Sequence, residues 1–486
     1  MSTTPEYDVL AAVPRGCLID GVWRPAATTF EVHDPATGEP LARVADATPA
    51  EAAEALDAAC RAQPGWAAIP PRPRAEILRR SYDLLLARAE EFALLITLEM
   101  GKPLAESRGE VAYAADFLLW FSEQAVRIGG ENRLAPDGAS RLLTTRQPVG
   151  PCLLVTPWNF PLAMMTRKVA PALAAGCTAL LKPAEETPLS CLLFAQVLLD
   201  AGLPAGVVNL LPTSRPAELV TALLADPRLR KLSFTGSTEV GRSLAATAGD
   251  RLLRSSMELG GNAPFLVFED ADLDAAIAGA MLAKLRNGGQ SCVAANRFLV
   301  HQDLAEEFTA RLATAMSQIR LAQGTDPRAQ LGPVINQQQR ERITALVSDA
   351  VSRGARIVTG GSEQSGPGWF YQPTVVADLP EDALMANQEI FGPVAQIHRI
   401  KDETDAIRQA NATDAGLVGY LYTRDLARAF RVSDALDCGM VGVNRGLVSN
   451  AAAPFGGVKA SGLGREGGFE GIDEYLSVKY LAVDLA

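Results

Sequence analysis

Between Gly150 and Glu258 the chain alternates short apolar runs with helix-length segments, a pattern few folds accommodate. The runs cover residues 152–155, 178–181, 207–211 and 231–234, and each intervening segment has helical character. Strands that are apolar throughout bury both faces, and alternation with helices marks a parallel, doubly wound sheet. The expected fold class is therefore α/β. Such sheets take their ligands in the crevice at the carboxyl ends of the strands.

Three loops at those ends carry polar chemistry. Thr156-Pro157-Trp158-Asn159-Phe160-Pro161 follows the first run and Lys182-Pro183-Ala184-Glu185 the second. Phe234-Thr235-Gly236-Ser237-Thr238-Glu239-Val240-Gly241 follows the last and opens a helix. It contains no GxGxxG, and a Gly-Ser-Thr before a helix reads equally as a simple cap.

A length of 486 residues exceeds one ordinary core, so two or three domains are expected. The formal net charge of −11 speaks against nucleic-acid and anionic-membrane surfaces. Seven cysteines without a CxxC pair indicate reduced thiols. The first residues show no basic-then-apolar signal pattern, and no apolar window reaches membrane-spanning length. A cytoplasmic location is expected. His33, His301 and His398 form no HxxxH or HExxH pair, so they read as structural residues and no metal site is expected.

Residues 18–45 read as a small antiparallel ribbon with turns at Asp20-Gly21, Asp34-Pro35 and Thr37-Gly38. Thr48 with Glu51 predicts a capped helix start. One helix is expected from Pro73 to Gly101, and another over residues 303–319. Residues 140–145 and 475–483 read as edge strands.

The densest chemistry lies between Met257 and Phe298. Glu258-Leu259-Gly260-Gly261 opens it, and Asn287-Gly288-Gly289-Gln290-Ser291-Cys292 closes it. A thiolate among small residues can attack carbon, and nearby amides can stabilise the charge that forms. A carboxylate in the same pocket can activate water. Most free cysteines are packing residues, and Cys17, Cys60, Cys152, Cys177, Cys191 and Cys438 are read that way. Glu258 alone would read as a solvated carboxylate and Asn159 as a turn residue.

ELGGNAPF followed by RNGGQSCVAANRF resembles the signature pair of the NAD(P)-dependent aldehyde dehydrogenase superfamily, nearest its succinate-semialdehyde dehydrogenase group. The resemblance runs from about Leu41 to Tyr480. It implies a Rossmann-type cofactor domain (residues 1–129 and 148–259) and an α/β catalytic domain (260–440). It also implies a β oligomerisation arm (130–147 and 465–486) and a substrate-pocket loop (441–464). A homodimer or homotetramer would follow from the arm.

By the same resemblance, Cys292 attacks the aldehyde, Asn159 and the Cys292 amide hold the oxyanion, and Glu258 activates water. The cofactor would be held by Thr156, Pro157, Trp158, Lys182, Glu185, Gly236, Ser237, Val240, Leu259, Glu389 and Phe391. Arg167, Arg286 and Ser449 would bind the distal carboxylate of a small acidic aldehyde, and paired arginine forks suit that group. Either arginine could instead serve in an ordinary ion pair. A carboxylate at Glu185 accepts ribose hydroxyls and repels a 2′-phosphate, which favours NAD over NADP.

Five positions depart from the group's pattern. Ala294 replaces a second cysteine found in some members, so a disulfide switch there is not expected. Gly288 and Ser291 are expected to be neutral replacements. Gln388 stands where a carboxylate is common, and Arg445 would extend the positive field and leaves the acid's chain length open. Glutarate semialdehyde or a broad aldehyde range is the second reading. A non-catalytic homologue is disfavoured by the retention of Cys292 and Glu258. A simple cysteine hydrolase is disfavoured by the cofactor loops.

Overall fold

The structure, a computed structural model, describes residues 9–484. The first eight residues, part of the stretch read for a signal pattern, and the last two lie outside that description. An eight-stranded sheet forms around five parallel strands. In spatial order these are Val208–Leu210, Ala179–Lys182, Cys152–Val155, Lys231–Thr235 and Arg254–Glu258. The four apolar runs read from sequence are all here, shifted by a residue at most of their ends. Chain order reverses between Cys152–Val155 and Lys231–Thr235, and a crevice opens at such a switch point.

The expected ribbon over 18–45 divides in two. Strands Cys17–Ile19 and Val22–Arg24 extend the first sheet, while Thr29–His33 and Pro40–Ala45 form a separate hairpin. The helix expected from Pro73 to Gly101 is broken at Arg88 into Pro71–Ala87 and Ala89–Met100. Gly101 ends the second piece in the left-handed conformation that suits glycine there.

Helix Leu104–Ala125 packs against Pro71–Ala87 and Pro161–Ala175. The last of these is buried along its whole length. A helix so enclosed should be apolar all round, yet it carries Arg167 and Lys168, whose charges therefore need buried partners.

A second, seven-stranded sheet contains Thr374–Ala377, Val394–Ile400, Ala295–His301, Ala263–Val267, Val418–Tyr422 and Met440–Val443 as parallel neighbours. Its core stacks Phe265 on Tyr422 with ring centres 5.0 Å apart. Strand Gly462–Leu463 leaves this region and pairs with Met257 and Glu258 at the edge of the first sheet.

Strands Asn132–Leu134, Ser140–Pro148 and Leu476–Asp484 form a projecting three-stranded sheet. Its apolar residues Leu134, Val478, Tyr480, Leu481 and Val483 are exposed. Residues 465–475, expected in the arm, lie elsewhere. Glu466 is buried against Lys168, and Tyr475 sits in the core of the first unit. The buried cations of helix Pro161–Ala175 demand a carboxylate, which draws this segment inward. Among the described residues no helix is long and apolar enough to cross a membrane.

The predicted cap at Thr48 is a reciprocal capping box: the Thr48 hydroxyl accepts from the Glu51 amide, and Glu51 accepts from the Thr48 amide at 2.8 Å. Thr48→Ala is expected to destabilise the protein by about 1 kcal/mol. A lower urea midpoint with unchanged slope would show it.

Candidate active site

The segment Asn287-Gly288-Gly289 holds three consecutive residues at positive φ (58°, 64° and 72°). Asparagine and glycine tolerate that conformation and most residues do not. Gly288 is thus used for its backbone and is not a neutral filler, as expected from sequence. A Cβ on Gly289 would stand 2.2 Å from the Gly392 carbonyl oxygen. The Asn287 amide donates to Glu106 at 2.7 Å, and its side chain donates to the Asn159 carbonyl at 2.9 Å. These contacts deliver Cys292 on a turn just before strand Ala295–His301, and the Tyr420 hydroxyl anchors that turn at the Val293 carbonyl.

Cys292 opens on a cavity of about 230 Å³. Among the residues proposed from sequence, Pro157, Trp158, Asn159, Arg167, Gly236, Ser237, Leu259, Arg286, Glu389, Phe391 and Ser449 border the same space. Thr156, Lys182, Glu185, Val240 and Glu258 do not. Thr156 lies buried at a strand end, and Val240 is exposed at the start of helix Thr238–Asp250. Lys182 Nζ lies 3.0 Å from Glu185 Oε2.

Glu258 ends its strand beside the cavity rather than in its wall. Neither carboxylate oxygen has a hydrogen-bond partner among the described residues. Burial first, and the nearby Glu466 second, push its pKa well above the ordinary range, opposed by Arg167, Lys168 and Arg465. Cys292 itself is half-buried. Desolvation pushes its thiol up to about 12, with Arg167 pulling the other way. Asn159 Nδ2 donates to the Gln290 carbonyl at 3.0 Å, which engages one of its two hydrogens and leaves the other.

Arg286 Cζ lies 4.7 Å from the Phe160 ring centre, and Arg167 Cζ lies 4.2 Å from that of Phe455. The Tyr113 hydroxyl is buried near Arg167 and Ser449, with no hydrogen-bond partner of good geometry among the described residues. Tyr113, Phe160, Arg286 and Ser449 also border a second cavity of about 600 Å³, so they stand between the two. Sequence reasoning missed Tyr113 because it sits within an ordinary amphipathic helix. Arg445 is exposed and outside both cavities.

On the other side of Cys292 the crevice suits an extended dinucleotide. The Thr156 and Thr235 hydroxyls are buried there without partners among the described residues. Ser237 caps helix Thr238–Asp250, whose amino end favours phosphate. Trp158 and Phe391 meet edge to face at 5.3 Å. Phe391 adopts φ 55°, uncommon for a bulky residue. Gln339 holds it by donating to the Phe391 carbonyl at 2.8 Å, and Arg342 donates to the Glu389 carbonyl at 2.8 Å. Glu389 in turn accepts from the Gly261 amide at 3.0 Å. Gln339 and Arg342 come from a distant helix, Gln337–Ser352, and carry no local sequence signal.

With the thiol raised this far, little thiolate exists near neutrality in the free protein. Alkylation of Cys292 by iodoacetamide, followed by peptide mass spectrometry, is expected to accelerate about tenfold per pH unit from 7 to 10 without a plateau. A plateau near pH 7 would show a preformed thiolate.

The model of the aldehyde dehydrogenase family matches residues 23–481. The chain is 59% identical over 443 residues to a succinate-semialdehyde dehydrogenase of Paenarthrobacter nicotinovorans, covering 91% of this chain and 98% of that one. It is 46% identical over 467 residues to a glutarate-semialdehyde dehydrogenase of Pseudomonas aeruginosa, covering 96% of each. The crystal structure of an NADP-dependent enzyme from E. coli superposes with a TM-score of 0.96 at 46% identity, covering 98% of this chain and 99% of that one. Matched by the family model over nearly its full length and 59% identical to a member across most of both chains, this chain belongs to the aldehyde dehydrogenase family.

Proposed function

We propose that this protein oxidises succinic semialdehyde to succinate, with NAD as the hydride acceptor and Cys292 as the covalent nucleophile. The observation that carries the reading is that Arg167, Arg286, Tyr113 and Ser449 border the same small cavity as Cys292. A short chain with an aldehyde at one end and a carboxylate at the other can present both functions to that one cavity. The names of the relatives support the same substrate class.

The chain's own groups supply the chemistry. Cys292 loses its proton and its sulfur adds to the aldehyde carbon. The free hydrogen of Asn159 Nδ2 and the Cys292 amide stabilise the resulting oxyanion, and one such donor contributes about 3 kcal/mol. A nicotinamide cofactor, bound by Trp158, Gly236, Ser237, Glu389 and Phe391, supplies the acceptor for the hydride. The substrate is then held on Cys292 as a thioester. Glu258, once deprotonated and turned toward the cavity, takes a proton from water, which attacks the thioester carbonyl. Succinate leaves and the thiol is restored.

Glutarate semialdehyde is the second reading. It is favoured by the second cavity that Arg286 and Ser449 also border. NAD rather than NADP is supported by Glu185, whose carboxylate sits on the strand-end loop where a 2′-phosphate would meet it. The exposed apolar arm is proposed to pair with another copy in a homodimer or homotetramer. Seven free cysteines accord with a reducing, cytoplasmic setting.

An aldehyde panel assayed with NAD and NADP in parallel tests the reading. Arg286→Ala is expected to raise KM for succinic semialdehyde at least ~10-fold while changing that for butanal little, as loss of a charge-assisted contact requires. Equal effects on both aldehydes would refute the clamp. Glu185→Ser is expected to raise kcat/KM with NADP by about tenfold through relief of repulsion. A wild-type preference for NADP would overturn the cofactor assignment.

A further inference from the structure

Arg167 is only 1% exposed at its side chain, and it is gripped on two sides by one short stretch of backbone pairing. Phe455 and Glu466 exchange amide-to-carbonyl hydrogen bonds of 2.7 and 2.8 Å. From that bridge the Phe455 ring stacks under the guanidinium, 4.2 Å from Cζ. The Glu466 carboxylate meets its near edge, with Oε2 2.5 Å from Nε. The other oxygen of Glu466 takes Lys168 Nζ at 2.5 Å, and Lys168 also donates to Ser233 at 2.9 Å. Glu466 is thereby held between two neighbouring residues of one buried helix and has little freedom to turn.

The far edge of the guanidinium is the counterpart. Nε and Nη2 are both buried without a hydrogen bond of good geometry among the described residues, but Nε has the Glu466 carboxylate at 2.5 Å while no ion pair meets Nη2, and Arg167 borders the same cavity as Cys292. A buried donor left open next to a cavity marks a ligand position, since burial without a partner costs free energy. Only the far edge can receive an anion, because the near edge is engaged by Glu466.

We propose that Glu466 is a positioning residue for substrate selection: it orients Arg167 so that the open edge faces the distal carboxylate of the aldehyde. This rests on the reading of Arg167, Arg286 and Ser449 as the carboxylate site. Without Glu466 the guanidinium can rotate about its stem or fold toward other acceptors. The loss then falls on acidic aldehydes, because a neutral aldehyde makes no use of Arg167.

The test compares kcat/KM for succinic semialdehyde and for butanal in wild type, Glu466→Gln, Arg167→Ala and the double variant. Glu466→Gln is expected to lower the acid-to-neutral ratio at least ~10-fold, expressed in KM for the acid aldehyde. In the Arg167→Ala background the same change is expected to move the ratio less than about twofold, since residues that act through one another do not add. If Glu466→Gln yields no folded protein, Glu466→Asp decides by the same ratio, because it keeps the charge and shortens the reach. A ratio that survives the substitution, or that falls equally with and without Arg167, overturns the role. A wild-type enzyme with no preference for the acid aldehyde overturns the carboxylate site and this role with it.

Discussion

Four residues, Leu259 to Asn262, join strand Arg254–Glu258 of the first sheet to strand Ala263–Val267 of the second. The closeness of that crossing governs the site. A Cβ on Gly261 would stand 2.3 Å from the Cys292 carbonyl oxygen, and one on Gly260 would stand 2.7 Å from Glu389. Absent side chains let two backbones meet, and the meeting sets Glu258, Cys292 and Glu389 around one point. Parallel pairing of Ala263–Val267 with Ala295–His301 extends the contact into the second core. The joint is therefore held by the packing of both sheets.

Electrostatics at this joint follow from its dryness. Helix Pro161–Ala175 brings two cations into a buried environment, and Glu466 is drawn in to meet them. Burial favours a proton on Glu466, but Lys168 and Arg167 outweigh it and hold that carboxylate below its ordinary range. Glu258, close by and with no hydrogen-bond partner among the described residues, is driven upward instead. Two neighbouring carboxylates are thus pushed in opposite directions, one by the cations it meets and the other by burial and the charge beside it.

Much of this was legible in the residues. The apolar runs mark the strands of the first sheet because a strand buried on both faces needs no polar alternation. Thr48 and Glu51 announce a helix start because their reciprocal bonds are local. The small residues around Cys292 announce a tight turn, although Gly288, read as a neutral filler, is needed for its positive φ. Elsewhere local pattern failed. The apolar stripe from Pro73 to Gly101 conceals the break at Arg88, since both pieces bury the same kinds of residue. Residues 465–475 continue in sequence toward the arm strand, but a buried ion pair holds them in the first unit.

The sequence by itself determined the strand and helix periods, the turn chemistry and the residue types able to act as nucleophile, base and anion fork. Those properties depend on neighbours a few positions apart. Tertiary structure alone decided that Tyr113 faces the arginines, that Gln339 and Arg342 support the loop of Glu389 and Phe391, and that Glu466 grips Arg167. Each of these joins residues from distant parts of the chain, where burial selects partners by charge and shape and sequence separation carries no information.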